Sequence, residues 1–325
     1  MRQERLVWAD ILRAILIILV VLGHALQFGD YENRLSWNII YSFHMAAFFA
    51  ISGFVSYRPN SQGVVLWKRA KQLLIPFFVW TVLIGLLQGN TWEHCLNVLY
   101  SPDKSFWFLF VLFAIVVLHE AAIALSRKIG SRYLLIFSGG GYLALILLMV
   151  LFEVRIFGFQ FISYYFGFYA LGYALRYYNI VIKPSFALCC GCLWFVLSLY
   201  WRMHAVPEPL EWMTILPAQI INYSYRFVTA LCACIFLIGI SPVLFKNREA
   251  KLFRFLAYLG RISLGIYVLH IFIGRWVDPL LVSFCGSMES ILSICIEVLV
   301  KLAVSILGVE LIRRIPMLSK LLLGK

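Results

Sequence analysis

The sequence predicts an all-α fold, a polytopic bundle of about ten transmembrane helices. Three observations lead there. The 325 residues are 63% hydrophobic and only 13% charged, whereas a soluble domain carries roughly a quarter charged residues. The apolar residues fall into runs of about 20, the length that crosses a hydrocarbon core. Basic residues crowd into alternate connecting segments, as they do when cytoplasmic loops retain Lys and Arg.

The runs, in order, cover 11–28, 38–57, 73–88, 105–125, 133–152, 159–177, 185–201, 219–245, 263–277 and 290–312. The first contains Arg13 and lacks a small-x-small cleavage site, so it reads as a retained span and not a signal peptide. The second follows an acidic loop with Glu32. The third follows the basic segment Lys68-Arg69-Ala70-Lys71, and 91–100 behind it reads as interfacial. The fourth opens on Phe106-Trp107-Phe108-Leu109 and closes before Arg127-Lys128. The seventh and ninth are short. No long Pro/Gly/Ser-rich linker interrupts the series, so residues 1–325 read as a single integral-membrane domain.

Loop charge sets the expected orientation. One set of loops holds most Lys and Arg. The other holds Arg34, Lys104, Arg155, Arg202 and Arg275, together with most of the acids, including Glu93, Glu208, Glu211 and Asp278. The basic loops therefore face the cytoplasm and both termini lie inside. The net charge of +13 follows from that bias and from contact with lipid. No basic stripe interleaved with aromatics points to nucleic acid. The eight cysteines read as small buried hydrophobes and not as a metal framework. Cys95 and Cys285 fall in outer loops where they can pair, though nothing requires it.

Ionisable groups inside spans are costly and mark functional sites. At about 1.5 Å per residue, His24 in the outgoing first span lies a turn or so below the outer boundary. His44, Arg226 and Glu297 enter from the outer side on the second, eighth and tenth spans and reach a similar layer. Four polar groups from four helices converging inside a bundle make a candidate catalytic or transport site. Asp10 lies about 21 Å of helix from His24 and is placed instead to pair with Arg13 three residues on. Glu297 is the carboxylate at the right depth to orient His24; its plain alternative is an i,i+4 pair with Lys301. His270 reads as a satisfied structural histidine, and His119-Glu120 as capping or interfacial. The segment Lys68, Arg69, Lys71 reads either as a topology signal beside anionic lipid or as a phosphate-binding patch at the inner mouth. Trp37, Tyr41, Trp92, Phe106 and Trp107 lie near the outer mouth, as belt residues or as platforms for sugar rings.

Taken in order, these pieces resemble the membrane-bound acyltransferase-3 family, in particular its sugar O-acetyltransferases of the fucose 4-O-acetylase type. The likeness rests on Asp10-x-x-Arg13 with His24 eleven positions after Arg13. It continues through Phe43-His44-Met45-Ala46-Ala47-Phe48-Phe49-Ala50-Ile51-Ser52-Gly53-Phe54, the basic segment leading to Ile75-Pro76-Phe77, the Phe106-Trp107 entry, and Gly260-Arg261-Ile262-Ser263-Leu264-Gly265-Ile266-Tyr267-Val268-Leu269-His270. The resemblance implies about ten spans in the cytoplasmic membrane and transfer of an acetyl group from cytoplasmic acetyl-coenzyme A, with no metal, to a sugar hydroxyl on an outer or lipid-linked glycan. It assigns the catalytic histidine to His24, an essential role to Arg13, and donor binding to the Lys68–Lys71 segment. Two departures stand out. Ala46 occupies a position where a proline often follows the methionine, so a local kink is expected to be lost. Gln72 stands three residues after Arg69, where a second arginine is usual, leaving Lys71 as a point charge where a guanidinium would clamp a phosphate in two places.

The chemistry suits the residues. A histidine, with an unperturbed pKa near 6.5, can take the proton of an attacking hydroxyl, as base or as transient acyl acceptor. The developing oxyanion needs a donor, for which Arg226 or His44 is placed. Substrate contacts fall to His44, Arg226 and Trp107. Charged donor phosphates stay at the inner mouth with Lys68, Arg69 and Lys71 while the pantetheine arm threads upward. The rival reading is a transporter or flippase for a polar or lipid-linked substrate; no internal repeat supports it, and only Pro76 and Pro242 lie in or near spans.

Overall fold

A computed structural model describes residues 6–29, 31–32, 34–57, 66–100, 106–130, 133–152, 156–246, 250–285 and 290–325. These residues form α-helices α1 (Val7–Phe28), α2 (Leu35–Tyr41), α3 (His44–Ser56), α4 (Leu66–Gln88), α5 (Thr91–Tyr100), α6 (Trp107–Ile129), α7 (Leu134–Phe152), α8 (Phe159–Tyr177), α9 (Pro184–Leu199), α10 (Ala218–Leu244), α11 (Lys251–Arg261), α12 (Ser263–Cys285), α13 (Ile291–Arg313) and α14 (Pro316–Leu323).

Every apolar run read from the sequence falls on a helix, but among the described residues only seven helices are long and apolar enough to cross a membrane. These are α1, the α2–α3 pair taken as Leu35–Ser56, α4, α6, α10, α12 and α13. Leu134–Met149 and Pro184–Leu199 are shorter apolar helices. The apolarity of α8 is diluted by tyrosines at 164, 165, 169, 173 and 177, whose hydroxyls make poor membrane filler. The Cys95–Cys285 pairing and the outer charges Lys104 and Arg155 lie outside the described residues or side chains.

At Ala46 itself α3 runs without a break. The helix is interrupted at Ser42 and Phe43, just before that position, without any proline. Ser42 Oγ donates to Ile39 O at 2.7 Å and His44 Nδ1 donates to Ile40 O at 2.7 Å. Side-chain donors thus serve carbonyls at the break, where the backbone turns more tightly, with Phe43 N bonded to Ile40 O at 3.3 Å.

Two further departures concern α11 and α12. The 251–261 stretch reads as a basic loop but forms an amphipathic helix. It buries Ala257, Leu259 and Gly260 and leaves Lys251 exposed. The ninth run, expected to end at 277, continues to Cys285 with Pro279 inside the helix. A proline in that place removes one backbone donor, and Arg275 and Asp278 ahead of it resemble loop charges.

The chain divides into two compact units, Met1–Ile51 with Ile180–Leu307, and Ser52–Asn179 with Gly308–Lys325. In the first, α1 packs along α11 and also meets α2, α10 and α12, while α9 packs on α10 and α2. The α1–α11 approach is backbone to backbone: a Cβ on Gly260 would overlap the Asp10 carbonyl. In the second unit α6, α7 and α8 pack mutually, and α4 carries α5, α6 and α14. Trp80 Nε1 donates to Leu322 O at 2.9 Å, which fastens α14 to α4. His119 is not a cap: it is buried among Tyr169 and Tyr173, with ring centroids 5.3 and 4.5 Å away.

The close approach at Gly260 makes a prediction. Gly260→Ala should lower the melting temperature of the detergent-solubilised protein by the equivalent of about 1–3 kcal/mol, the usual cost of overpacking. Gly139→Ala, with nothing within 4 Å of the added methyl, should leave it unchanged or raise it slightly.

Candidate active site

The last turns of α1 present His24, Gln27 and Phe28 on one exposed face, the i, i+3, i+4 pattern of a single helical flank. His24 is open on its own surface yet lies deep among protein atoms. Its nearest aromatic neighbour is His270 of α12, with ring centroids 5.4 Å apart and planes tilted by 43°.

The face of α12 that carries His270 repeats every four residues as His270, Gly274 and Asp278. On α13, Glu297 and Lys301 sit four apart. These two stripes meet. Lys301 Nζ lies 2.7 Å from Asp278 Oδ1 and 2.5 Å from Glu297 Oε1, with the Phe28 ring 5.9 Å away. Gly274 makes the room: a Cβ there would sit 3.3 Å from Lys301 Nζ and 3.1 Å from Asp278 Oδ2. Glu297 is fully buried and Lys301 nearly so, at 0% and 3% exposure. Charges at that depth persist only when paired. The Asp278 Oδ1 contact is off-line for a hydrogen bond, but 2.7 Å between an ammonium and a carboxylate oxygen is a close ion pair. Lys301 acts electrostatically on both His24 and His270.

Glu297 therefore takes the alternative the sequence left open, the pair with Lys301, and makes no hydrogen bond to His24 among the described residues. Its Oε2 is buried without a partner. His44 is buried, edge-on to Tyr41 at 4.9 Å, and within electrostatic reach of His24. Because His44 Nδ1 donates to Ile40 O, its neutral ring carries a lone pair at Nε2. It can accept a hydrogen bond there but cannot donate one to an oxyanion.

Arg13 pairs with Asp10 at 3.6 Å, about 16 Å of helix from His24. Arg226 has structural work: Nη1 donates to Met203 O at 3.0 Å, and its guanidinium lies 5.5 Å from the Trp201 ring. One turn earlier, Asn222 Nδ2 donates to Arg202 O and Ala205 O. The two residues clamp the 201–205 segment to α10. Trp37, stacked on Tyr41 at 4.0 Å, is 1% exposed and is no belt residue.

The donor-binding candidates lie in the second unit. Lys68 and Lys71 are exposed at the start of α4, and Lys71 Nζ lies 4.9 Å from the Trp67 ring. Arg69 Nη1 donates to Gln72 Oε1 at 3.4 Å, so the residue standing in for a second arginine holds the first. Trp107, half-buried, is stacked on Phe161 at 4.7 Å and Tyr165 at 5.6 Å.

Reading the sequence missed three members of the site: His270, Lys301 as more than a partner, and Asp278. The signal that could have found them was the i, i+4, i+8 spacing of His270, Gly274 and Asp278 beside Glu297-x-x-x-Lys301. It was hidden because Pro279 reads as the end of the span.

A family model described as an acyltransferase domain, acyltransferase-3, matches residues 6–310. The chain belongs to the acyltransferase-3 family. That match takes in both compact units, including His24, His270 and Lys301 as well as the Lys68–Lys71 segment. Among curated proteins the chain is similar to the nodulation protein NolL of Sinorhizobium fredii, 27% identical over 56% of this chain and 55% of that protein. It is also similar to NolL of Mesorhizobium japonicum, 30% identical over 36% of each chain. The chain thus spans about half the length of the first of these relatives and about a third of the second. No solved structure matches. Family membership and the seven apolar helices make this a multi-pass membrane protein.

The ion cluster predicts a stability pattern. Lys301→Met leaves the buried Glu297 carboxylate unpaired beside the half-buried Asp278 and should cost about 3–5 kcal/mol, read as a fall in melting temperature. Adding Asp278→Asn and Glu297→Gln to Lys301→Met should restore most of that loss.

Proposed function

We propose that the protein is a membrane-bound O-acyltransferase that moves an acetyl group from cytoplasmic acetyl-coenzyme A to a sugar hydroxyl on an extracytoplasmic or lipid-linked glycan. The observation that carries this reading is His24: an exposed imidazole near the C-terminal end of α1, backed by His270 and Lys301, in a chain matched by the family model over 6–310.

His24 takes the proton of the acceptor hydroxyl as its oxygen attacks the thioester carbonyl. The carbon–oxygen ester bond forms and the carbon–sulfur bond breaks. The proton held by His24 then passes to the departing thiolate, which leaves as free coenzyme A. The transient oxyanion needs a positive partner, and the imidazolium formed on His24 supplies it. His44, with its Nε2 lone pair, accepts a hydrogen bond from the sugar. Arg226 and Trp107 act on the acceptor through the segments they brace. The Lys68, Arg69 and Lys71 side chains hold the donor phosphates, and Arg13, paired with Asp10, serves the donor separately. The loop charges support cytoplasmic termini and donor entry from the inside, in the inner membrane.

The test uses full-length protein in detergent with radiolabelled acetyl-coenzyme A and a panel of sugar acceptors. Labelled glycan should appear, and His24→Ala should cut kcat by about 10²–10⁴-fold, the range for loss of a general base, with the melting curve unchanged. Uptake of a sugar or lipid-linked sugar into vesicles with no acetylated product would instead make the protein a transporter. Lys68→Ala with Arg69→Ala should raise KM for acetyl-coenzyme A by about tenfold, equivalent to about 1.4 kcal/mol, and leave the acceptor KM alone. A change confined to the acceptor KM would reverse the inside–outside assignment.

A further inference from the structure

His270 has a property that its role as helix packing does not need. Its Nδ1 lies 2.9 Å from Ile266 O, and a carbonyl only accepts, so the ring hydrogen is on Nδ1. Nε2 of the neutral ring must then carry a lone pair. That atom is buried and has no hydrogen-bond partner, in a residue only 1% exposed. An acceptor left unmatched in an apolar interior is costly unless it serves a purpose. The ring it approaches is His24, 5.4 Å between centroids. Two imidazoles joined N–H to N have centroids roughly 5 Å apart, given a bond of about 3 Å, so a small turn of the open His24 side chain closes the gap.

We propose that His270 is the positioning residue for His24: its Nε2 accepts a hydrogen bond from one nitrogen of the His24 ring, which leaves the opposite nitrogen unprotonated and turned to the acceptor hydroxyl. The neighbours favour this pairing over the others. Glu297 is tied through Oε1 to Lys301, and its Oε2 makes no hydrogen bond to His24 among the described residues. Lys301 has only protons to offer. His44 carries its lone pair in the same way, but its ring meets Tyr41 and makes no ring contact with His24 among the described residues. When His24 takes up the hydroxyl proton it becomes an imidazolium, and the bond to His270 strengthens as a charge-assisted one. The two carboxylates of Asp278 and Glu297, set against the single ammonium of Lys301, lie on the same two helices to balance the new charge. The proton then leaves to the thiolate and the pair returns to its neutral state.

This inference rests on the acyl-transfer reading for its kinetics but not for its geometry, so it is tested in two ways. In the full-length enzyme, His270→Phe should lower kcat about 10- to 100-fold and leave both KM values within about twofold. His270→Gln, whose side-chain carbonyl can accept the same bond, should recover most of the rate. His270→Phe at wild-type kcat, or a folded His270→Gln as slow as His270→Phe, overturns the proposal. Independently of activity, nitrogen NMR of ¹⁵N-histidine-labelled protein in nanodiscs reads the His24 ring directly, assigned by its loss in His24→Gln. A single neutral His24 tautomer, with a hydrogen-bonded N–H that shifts in His270→Phe, supports the pairing. Rapid exchange between both tautomers in the wild-type protein overturns it, even if His270→Phe fails to fold. A positive spectrum with no acetyl transfer by the wild-type enzyme would sink the proposed reaction and leave the pairing standing.

Discussion

One ammonium holds the polar interior of the first unit together. Lys301 is buried, and so is Glu297; each would be untenable alone in an apolar bundle. By meeting Glu297 on its own helix and Asp278 on α12, Lys301 joins two helices through a contact that needs defined lengths and angles. Dispersion packing between leucines tolerates sliding, whereas this triad does not. The register it fixes between α12 and α13 also sets the height of His270, two turns along from Asp278, and so the height at which α12 meets the end of α1.

The same economy appears at the α1–α11 contact. Gly260 lets α11 lie backbone to backbone on α1 at Asp10, close to the Asp10–Arg13 pair. The helix that bears His24 is thus held at one end by a side-chain-free contact and at the other adjoins the α12–α13 ion cluster. Between these ends its faces are lined with small and aliphatic residues such as Ala14, Leu16, Ile17 and Val21, which pack without polar demands. The polar elements of α1 lie where a partner or an opening serves them.

Much of the fold was legible because the bilayer imposes a coarse rule. A run of about 20 apolar residues admits few structures other than a helix, and so the boundaries of α8 were readable to the residue. Where legibility failed, another signal competed. Pro279 and two charges masked the last turns of α12, because the partner that neutralises Asp278 lies more than twenty residues on in Lys301. The basic residues of α11 masked an amphipathic face. In the site, His24 stood out as an ionisable residue in an apolar run. His270 did not, since one histidine near mid-helix looks like any other until a second ring is seen beside it.

The sequence by itself determined the helical class and the placing of His24, His44 and Glu297 on separate helices, because periodicity and hydropathy are local properties of the chain. Only the tertiary structure decided which of those groups meet. It gave Glu297 to Lys301, drew Asp278 out of a presumed loop, bound Arg226 to bracing a loop and set His270 against His24. Such pairings depend on distances between helices remote in sequence, and no local pattern encodes them.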